Sequence, residues 1–304
     1  MPTVTETLTY SIDSLAPFIN WLYFFHAWQL PSKYGSLAFV HNCAGCKAQW
    51  LAQFNEEEQP RAKETLRLYD DAREMLEEFN RHYHTLARVA LLDTQSENDD
   101  IIIYKEDGNT TRLPMLRQQH EVADGKPNLS LADFIVPLHS GRKDRIGIFA
   151  TTVEDAMEKL YTDDPYRHMM AQTLCDRLAE ATAEKLHADV RTKLWGYAPD
   201  EHLSPQEMFQ GRYRGIRPAV GYPSLPDQSL NFLLDSVIGF ANIGISLTES
   251  GAMQPHGSVS GLMMAHPKAN YFAIGKIGND QLEDYARRRG MDIAKARKFL
   301  TANL

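Results

Sequence analysis

The seven residues from Arg217 to Pro223 combine one fixed cation, one aromatic ring, two prolines and a glycine. Arginine is always charged, and its planar guanidinium suits a carboxylate. The ring of Tyr222 presents a π face that attracts cations such as a sulfonium. Because proline fixes φ and glycine permits unusual backbone angles, the turn can aim both side chains at one point. The pattern is typical of a clamp for a small zwitterion with a positive centre, such as S-adenosylmethionine.

The same composition is also typical of a rigid surface loop that binds nothing. Taken alone, the segment favours this structural interpretation, so the surrounding sequence has to decide. A nucleotide-like ligand would often be held by Gly-x-Gly-x-x-Gly after a strand, and the chain has no such motif there.

Two long helices are predicted around this turn. Apolar residues recur every three or four positions from 59 to about 92, with charged residues between them. Asp164 followed by Pro165 resembles the cap and first position of a second helix that extends to about residue 193. Residues 228–240 form a shorter apolar pattern, and Asn279 and Asp292 are predicted to cap the last two helices.

Short strands are predicted between the helices, including a hairpin whose turn is Asp107-Gly108-Asn109. Because the strands and helices do not alternate as regular βαβ units, the pattern predicts an α+β fold with a twisted antiparallel sheet flanked by long helices. The predicted strands cover residues 101–104, 111–116, 128–137, 146–151, 245–248, 259–264 and 271–274.

Composition sets the broad class of the protein. The 304 residues are 43% hydrophobic and 24% charged, with a net charge of −8, which argues against nucleic acid as a main partner. The N-terminus has no secretory pattern, and no apolar run is long enough to span a membrane, so we expect a cytoplasmic protein without a membrane partner. We predict a single domain over 1–304, with residues 1–7 as a disordered leader.

Several stretches of the chain together resemble the C-terminal activation domain of cobalamin-dependent methionine synthase. The resemblance runs in order from about Leu8 to Leu304, which makes it more specific than any one motif. The matching stretches are 195–199 (WGYAP), 215–219 (GIRPA), 247–250 (LTES), 259–261 (VSG), 266–267 (HP) and 284–288 (DYARR).

This resemblance implies a binding site for S-adenosylmethionine around the turn. Arg217 is expected to pair with the carboxylate of the ligand, while Ala219, Gly221 and Tyr222 line the pocket. Tyr271 stands in a His-Pro-x-x-x-Tyr stretch, whose tyrosine the family uses at the ligand.

Two further positions are implied on other elements. Glu180, on the second long helix, matches a glutamate of the family's active region; an ordinary surface glutamate is an equal alternative. Asn20 stands where the family has an aspartate that holds the ammonium of the ligand. Asparagine brings no negative charge, so weaker binding is expected. The chain also departs from the family at 224–228, which read SLPDQ in place of Ala-Cys-Pro-Glu/Asp-His.

The implied activity is the reductive methylation of cob(II)alamin by S-adenosylmethionine, with an electron from a flavodoxin-type donor. The cofactors carry that chemistry, so no catalytic acid or base is assigned. The chain lacks Asp-x-His-x-x-Gly, the family's cobalt-ligating motif. It is therefore expected to be a free-standing component of a split methionine synthase rather than a complete enzyme. Its cobalamin would be carried by the methionine synthase module or another corrinoid protein. The alternative is a module or sensor that binds S-adenosylmethionine without methyl transfer.

The stretch from His41 to Cys46 is a rival signal, because Cys43 and Cys46 form a Cys-x-x-Cys pair that can hold zinc or do redox chemistry. No second such pair or His pair follows at ligand spacing, and the family has no matching cysteines. The pair is interpreted as two small thiols that enter a helix, and no metal ligand is assigned. A metal or redox protein remains the third hypothesis. Cys175 is expected to be buried and inert.

Overall fold

The computed structural model describes residues 3–120, 125 and 127–304. Its centre is a six-stranded antiparallel sheet in the order β4-β3-β2-β5-β8, and β1 also pairs with β2. A separate two-stranded sheet joins β6 and β7. The strands are β1 (Val4–Ser11), β2 (His84–Glu97), β3 (Asp100–Tyr104), β4 (Thr110–Pro114), β5 (Asp144–Val153), β6 (Ser246–Leu247), β7 (Met253–Gln254) and β8 (Ser258–Met263).

Helices cover both faces of the large sheet, which confirms the predicted α+β class with an antiparallel sheet. No helix in the described part of the chain is both long and apolar enough to cross a membrane. The helices are α1 (Ile12–Leu15), α2 (Trp21–Ala27), α3 (Ala44–Leu51), α4 (Gln59–His82), α5 (Asp155–Glu158), α6 (Pro165–Asp189), α7 (Pro205–Phe209), α8 (Leu230–Ile238), α9 (Asn279–Arg289) and α10 (Ile293–Phe299).

The predicted helix over 59–92 is wrong in its last part. Helix α4 ends at His82, and β2 begins at His84. β5 pairs along one edge of β2, while β1 and β3 follow one another along the other edge. Because both faces are also covered, residues 86–92 are nearly all apolar, and such a run cannot be told from a buried helix by periodicity.

Alternate residues of the central strand β2 face two different hydrophobic cores, one on each side of the sheet. Val89 and Leu91 face a core that contains Ala183 and Leu186 of helix α6. Ala90 and Leu92 face the opposite core, which includes residues of helix α8. This alternation is the period-two geometry of a strand, and it fixes α6 against one face of the sheet.

The N-terminal residues also differ from the prediction. Strand β1 starts at Val4, so residues 4–7 belong to the sheet where a disordered leader was predicted. The strand alternates between partly buried and exposed positions along its length, in register with β2.

Two predicted strands are absent from the described residues. Within 128–137 the chain forms a short 3-10 turn, Leu131–Phe134, because Ser130 and Asp133 make a reciprocal capping box. Residues 271–274 are not a strand either, although Ile274 donates one backbone hydrogen bond to Pro223 (2.9 Å). The hairpin after β3, the Asp164–Pro165 helix start and the Asp292 cap of α10 are confirmed. The predicted Asn279 cap is wrong: Asn279 is the first residue inside α9, and the N-cap is Gly278, which has no side chain to accept a hydrogen bond.

Helix α6 carries the side chains that meet the predicted turn. Asp164 caps its first turn by accepting hydrogen bonds from two backbone N–H groups, and Pro165 follows. The hydroxyl of Thr151 on β5 donates to the carbonyl of Ala179 (3.0 Å), which holds the helix against the sheet. Beyond Asp189 the helix continues as one π turn, residues 190–194.

Candidate functional site

The segment around Arg217 runs beside strand β8 as a short extension of the sheet. The backbone N–H of Leu262 donates to the carbonyl of Pro218 (3.0 Å), and that of Val220 donates to Ser260 (2.9 Å). Ala219 pairs with Gly261 across this contact. A Cβ at Gly261 would lie 2.2 Å from the Pro218 carbonyl oxygen, so only glycine allows the approach.

A tight turn then directs Tyr222 toward helix α6. The N–H of Gly221 donates to the carbonyl of Leu225, and the N–H of Leu225 donates to that of Tyr222, both at 2.8 Å. Gly221 has a φ of +87°, which L side chains rarely adopt, and nothing lies within 4 Å of a Cβ built there. The turn therefore needs glycine for its backbone and leaves open space at that point.

Arg217 is buried and already has an anionic partner. Its Nη2 lies 2.5 Å from Oε1 of Glu184, and its guanidinium carbon lies 5.7 Å from the centre of the Phe149 ring. Nε of Arg217 and Oε2 of Glu184 are both buried without a hydrogen bond among the described residues. Burial alone lowers the pKa of Arg217, but the carboxylates of Glu184 and Glu180 outweigh it, so the pKa is raised.

Tyr222 and Glu180 form the outer part of the same group. The tyrosine hydroxyl donates a hydrogen bond to Oε1 of Glu180, and about half of the tyrosine surface (49%) remains exposed. Burial of the hydroxyl, and then the charge of Glu180, raise the pKa of Tyr222 above its usual range. Glu180 is therefore hydrogen-bonded to the turn that carries Tyr222 rather than free on the helix surface.

Tyr271 forms a hydrogen bond with the backbone of Arg217. Its hydroxyl oxygen accepts a hydrogen bond from the N–H of Arg217 (2.9 Å) and lies 3.0 Å from the hydroxyl of Tyr213. The ring of Tyr271 remains 48% exposed. The structure thus brings Arg217, Tyr222, Tyr271 and Glu180 together, with Ala219 and Gly221 in the connecting backbone.

A buried polar group behind the cation was not predicted. His187 is fully buried, with its Nε2 3.3 Å from the Tyr197 hydroxyl and its Nδ1 without a partner in the described structure. Arg191 is also buried, pairs with Glu201 (2.6 Å) and lies over the Tyr213 ring. The sequence does contain a pattern that could have revealed these residues. Positions 180, 184, 187 and 191 are spaced so that their side chains lie on one face of a helix.

Asn20 lies apart from this group, at the start of helix α2. Its side-chain oxygen accepts a hydrogen bond from the N–H of Leu22 (3.2 Å), which makes it the N-cap. It lines a cleft of about 1530 Å³ between the N-terminal helices, α4 and α7. Tyr23, three residues after Asn20, contacts helix α6: its ring centre lies 5.8 Å from the guanidinium carbon of Arg177. Arg177 is one helical turn before Glu180.

Residues 224–228, in which Leu225 and Gln228 replace the family's cysteine and histidine, have structural contacts. Asp227 is buried and accepts hydrogen bonds from Ser229 and from the hydroxyl of Tyr285 (2.6 Å). Leu225 belongs to the core on the α8 side of the sheet. The exposed Gln228 lines a second cleft, of about 790 Å³, whose other residues include Glu249, Ser250, Lys295 and Lys298.

Comparison with known proteins decides the family. A family model described as the activation domain of vitamin B12-dependent methionine synthase matches residues 11–290. This chain belongs to that family. A solved structure described as the MetH reactivation domain bound to AdoHcy shares 36% identity with this activation domain, with a TM-score of 0.86. The match covers 99% of this chain and 90% of the other.

The described residues of this activation domain fit a zwitterionic ligand. The guanidinium of Arg217 suits a carboxylate, and its Nε lacks a hydrogen-bond acceptor. Glu180 and the exposed ring of Tyr222 offer negative charge and a π face to a cationic group. Because the buried polar atoms on Arg217 and Glu184 are unpaired, the site has hydrogen-bonding capacity that its own residues do not use.

Proposed function

We propose that this domain binds S-adenosylmethionine and presents it to cob(II)alamin for reductive methylation, as a component of a split cobalamin-dependent methionine synthase. When bound, S-adenosylmethionine supplies the methyl group, and a flavodoxin-type donor supplies the electron. The partner is a cobalamin-binding methionine synthase module or another corrinoid protein. A cytoplasmic location remains a prediction.

The observation that carries the proposal is the buried cation of Arg217 beside the half-exposed ring of Tyr222. We assign the ligand carboxylate to Arg217 and the cationic part of the ligand to Tyr222 and Glu180. The backbone at Ala219 and Gly221 lets the ligand approach closely, because the built Cβ position at Gly221 is open. AdoHcy, which is bound to the similar reactivation domain, has the same carboxylate and ammonium as S-adenosylmethionine.

The protein residues orient the ligand and exclude water, and none of them acts as a nucleophile or general base in this proposal. Glu184 and Phe149 fix the guanidinium of Arg217, while the Tyr271 hydroxyl fixes its backbone N–H. Because these contacts already order the side chain, little conformational entropy is lost when the ligand binds. The chemistry resides in the ligand and the cobalamin.

Cobalamin must reach this domain on another module. The chain contains no Asp-x-His-x-x-Gly, so it lacks the histidine that the family uses to ligate cobalt. We propose that this module docks noncovalently against the domain.

Calorimetric titration with S-adenosylmethionine is the first test. We expect saturable binding to the unaltered protein and loss of measurable binding in Arg217→Ala. Arg212→Ala is the matched control, because its side chain is 62% exposed and makes only a long ion pair with Glu207 (3.8 Å). Equal affinity in unaltered and Arg217→Ala protein would overturn the proposed clamp.

A spectroscopic assay tests the methyl transfer. The domain, a cobalamin-loaded methionine synthase module, reduced flavodoxin and S-adenosylmethionine are mixed, and conversion of cob(II)alamin to methylcobalamin is followed by absorbance. We expect conversion that depends on the domain and fails with Arg217→Ala. Ligand binding without conversion would favour the alternative, a sensor or binding module.

A further inference from the structure

Two thiol side chains and one imidazole lie close together at the start of helix α3, away from the site described above. The ligand atoms of His41, Cys43 and Cys46 all lie within 4.8 Å of one another. From the sequence no metal ligand was assigned to this stretch, because no second pair follows at ligand spacing; the structure shows that His41, just before the pair, completes a group of three. His41 and Cys43 are exposed, and Cys46 is partly exposed.

The local backbone explains why the three side chains meet. The N–H of Cys43 donates to the carbonyl of His41 (2.9 Å), which tightens the chain just before the helix. Cys43 is the N-cap of α3, and its sulfur accepts a hydrogen bond from the N–H of Cys46 (3.2 Å). One helical turn therefore brings the second sulfur back beside the first.

The geometry points to a binding site for Zn²⁺ formed by His41, Cys43 and Cys46, with a fourth coordination position open to solvent. Zinc sits about 2.3 Å from sulfur and about 2.0 Å from nitrogen, so tetrahedral ligands lie roughly 3.5–3.8 Å apart. A small rotation of exposed side chains closes the present separations to that range. Two thiolates and an imidazole are a set that a thiophilic divalent ion prefers over oxygen-seeking Mg²⁺ or Ca²⁺.

The surroundings leave room for the ion and its fourth ligand. A Cβ built at Gly45, between the two cysteines, has nothing within 4 Å. One helical turn after Cys46, Trp50 of α3 is buried and its indole N–H donates to Ser36 (2.9 Å). Ser36 and Phe39 line the large cleft that Asn20 also lines, so the ion would fix the loop between that wall and α3.

The test is metal binding by the purified, reduced protein. Metal-free protein is incubated with Zn²⁺, desalted and measured for zinc, and the affinity is determined by competition with a chromophoric chelator. Co²⁺ is then substituted, because thiolate-to-cobalt charge-transfer bands report sulfur ligands and the visible bands report tetrahedral geometry. We expect one equivalent of metal and a tetrahedral spectrum with two thiolates.

Variants assign the ligands. We expect Cys43→Ser and Cys46→Ser to lose the charge-transfer bands in part and to bind zinc at least about tenfold more weakly, since even an outer partner of a ligand is worth that much. His41→Ala should weaken zinc while keeping the sulfur bands. Cys175→Ala and His139→Ala are matched controls, because Cys175 is buried elsewhere and His139 is an exposed histidine on another segment.

The proposal is independent of S-adenosylmethionine binding, and titration of Cys43→Ser with that ligand serves as a test of folding. Two outcomes would overturn the zinc site. One is less than about a tenth of an equivalent of zinc when thiol titration shows Cys43 and Cys46 reduced. The other is unchanged zinc affinity in Cys43→Ser or Cys46→Ser.

Discussion

Arg217 and Glu184 form a buried ion pair in which each partner has a buried polar atom without a hydrogen bond to any described residue. The pair joins Nη2 to Oε1 at 2.5 Å, and the unpaired atoms are Nε of the arginine and Oε2 of the glutamate. Within the described residues, the pair links the turn at 217–223 to helix α6. It therefore contributes both to the position of the proposed clamp and to the stability of the fold.

We first predict that removing one partner destabilises the protein more than removing both. Arg217→Ala leaves Glu184 buried without its counter-ion, and breaking a buried pair this way costs about 3–5 kcal/mol. The double variant Arg217→Ala/Glu184→Ala should recover part of that loss, with a coupling of about 1–3 kcal/mol. Urea unfolding of all four proteins measures the cycle.

The exposed pair Lys33–Glu58 is a matched control, because it has the same 2.5 Å separation but side chains that are 47% and 31% exposed. Its coupling should be clearly smaller, because water and salt screen an exposed pair. If the two cycles gave equal coupling, burial would not be what strengthens the Arg217–Glu184 pair.

A second prediction concerns Tyr271 and Tyr213, whose hydroxyls lie 3.0 Å apart. Tyr271→Phe removes the acceptor of the Arg217 N–H, and an unsatisfied buried donor costs about 1–3 kcal/mol. Tyr213→Phe keeps that bond and loses only the contact between the two hydroxyls. We expect the first variant to weaken S-adenosylmethionine binding clearly more than the second, measured by calorimetry. Equal losses would mean that Tyr271 does not act through Arg217.

Gly261→Ala should abolish binding without changing any side chain at the ligand. The new methyl group would lie 2.2 Å from the Pro218 carbonyl oxygen and 2.9 Å from Cα of Ala219, so the segment must move off strand β8. Gly45→Ala is the control, since its position is open and helical, where alanine stabilises by about 1 kcal/mol. The readouts are calorimetry and circular dichroism. A folded Gly261→Ala protein with normal affinity would contradict this account of the segment.

The residues of the candidate site that lie in one turn could be predicted from the sequence. The chemistry of this turn follows from its residue types, which are a fixed cation at Arg217, a flexible backbone at Gly221 and an aromatic ring at Tyr222. The prolines and the glycine also predict the turn itself. Glu184 was missed because two glutamates four residues apart look alike along the chain. Which one reaches Arg217 depends on how α6 lies on the sheet, and that depends on long-range packing.

The errors in the fold have a similar origin. The strand β2 was read as helix because it is paired on both edges and covered on both faces, which removes the alternation of a half-exposed strand. Zinc at Cys43 and Cys46 was weighed from the sequence, and no ligand was assigned because no second pair follows at ligand spacing. Only the folded loop shows that the ligand atom of His41 lies within 4.8 Å of both sulfurs.

Burial of His187 predicts a specific loss of stability in mild acid. Burial first, and then the charges of Arg191 and Arg217, hold the pKa of His187 well below its usual value. The unfolded chain therefore binds a proton below about pH 6.5 while the folded protein does not, so stability falls as pH falls. The loss is about 1.4 kcal/mol for each pH unit below that point, until the depressed pKa of the folded state is reached.

His187→Gln should remove this contribution. Urea unfolding of both proteins at about pH 7.5 and about pH 5.5 tests it, because carboxylates elsewhere affect the two equally. We expect the unaltered protein to lose about 1.4 kcal/mol more than the variant across this interval. An equal loss in both would show that the pKa of His187 is not lowered in the folded protein.

Asn20→Asp tests whether the cleft beside helix α2 contributes to the proposed ligand site. Aspartate caps a helix as well as asparagine, so the bond to the Leu22 N–H should persist and the fold should be unchanged. If this position holds the ligand ammonium, as the family resemblance implies, the added charge strengthens that hydrogen bond by about 1 kcal/mol, or roughly fivefold in Kd.

Asn80→Asp places the same charge in the same cleft and controls for a general field effect. Calorimetric titration should show tighter binding only for Asn20→Asp. An equal gain in both variants would reveal long-range electrostatics, and no gain in either would place the ammonium away from Asn20, with Glu180 as its remaining anionic partner.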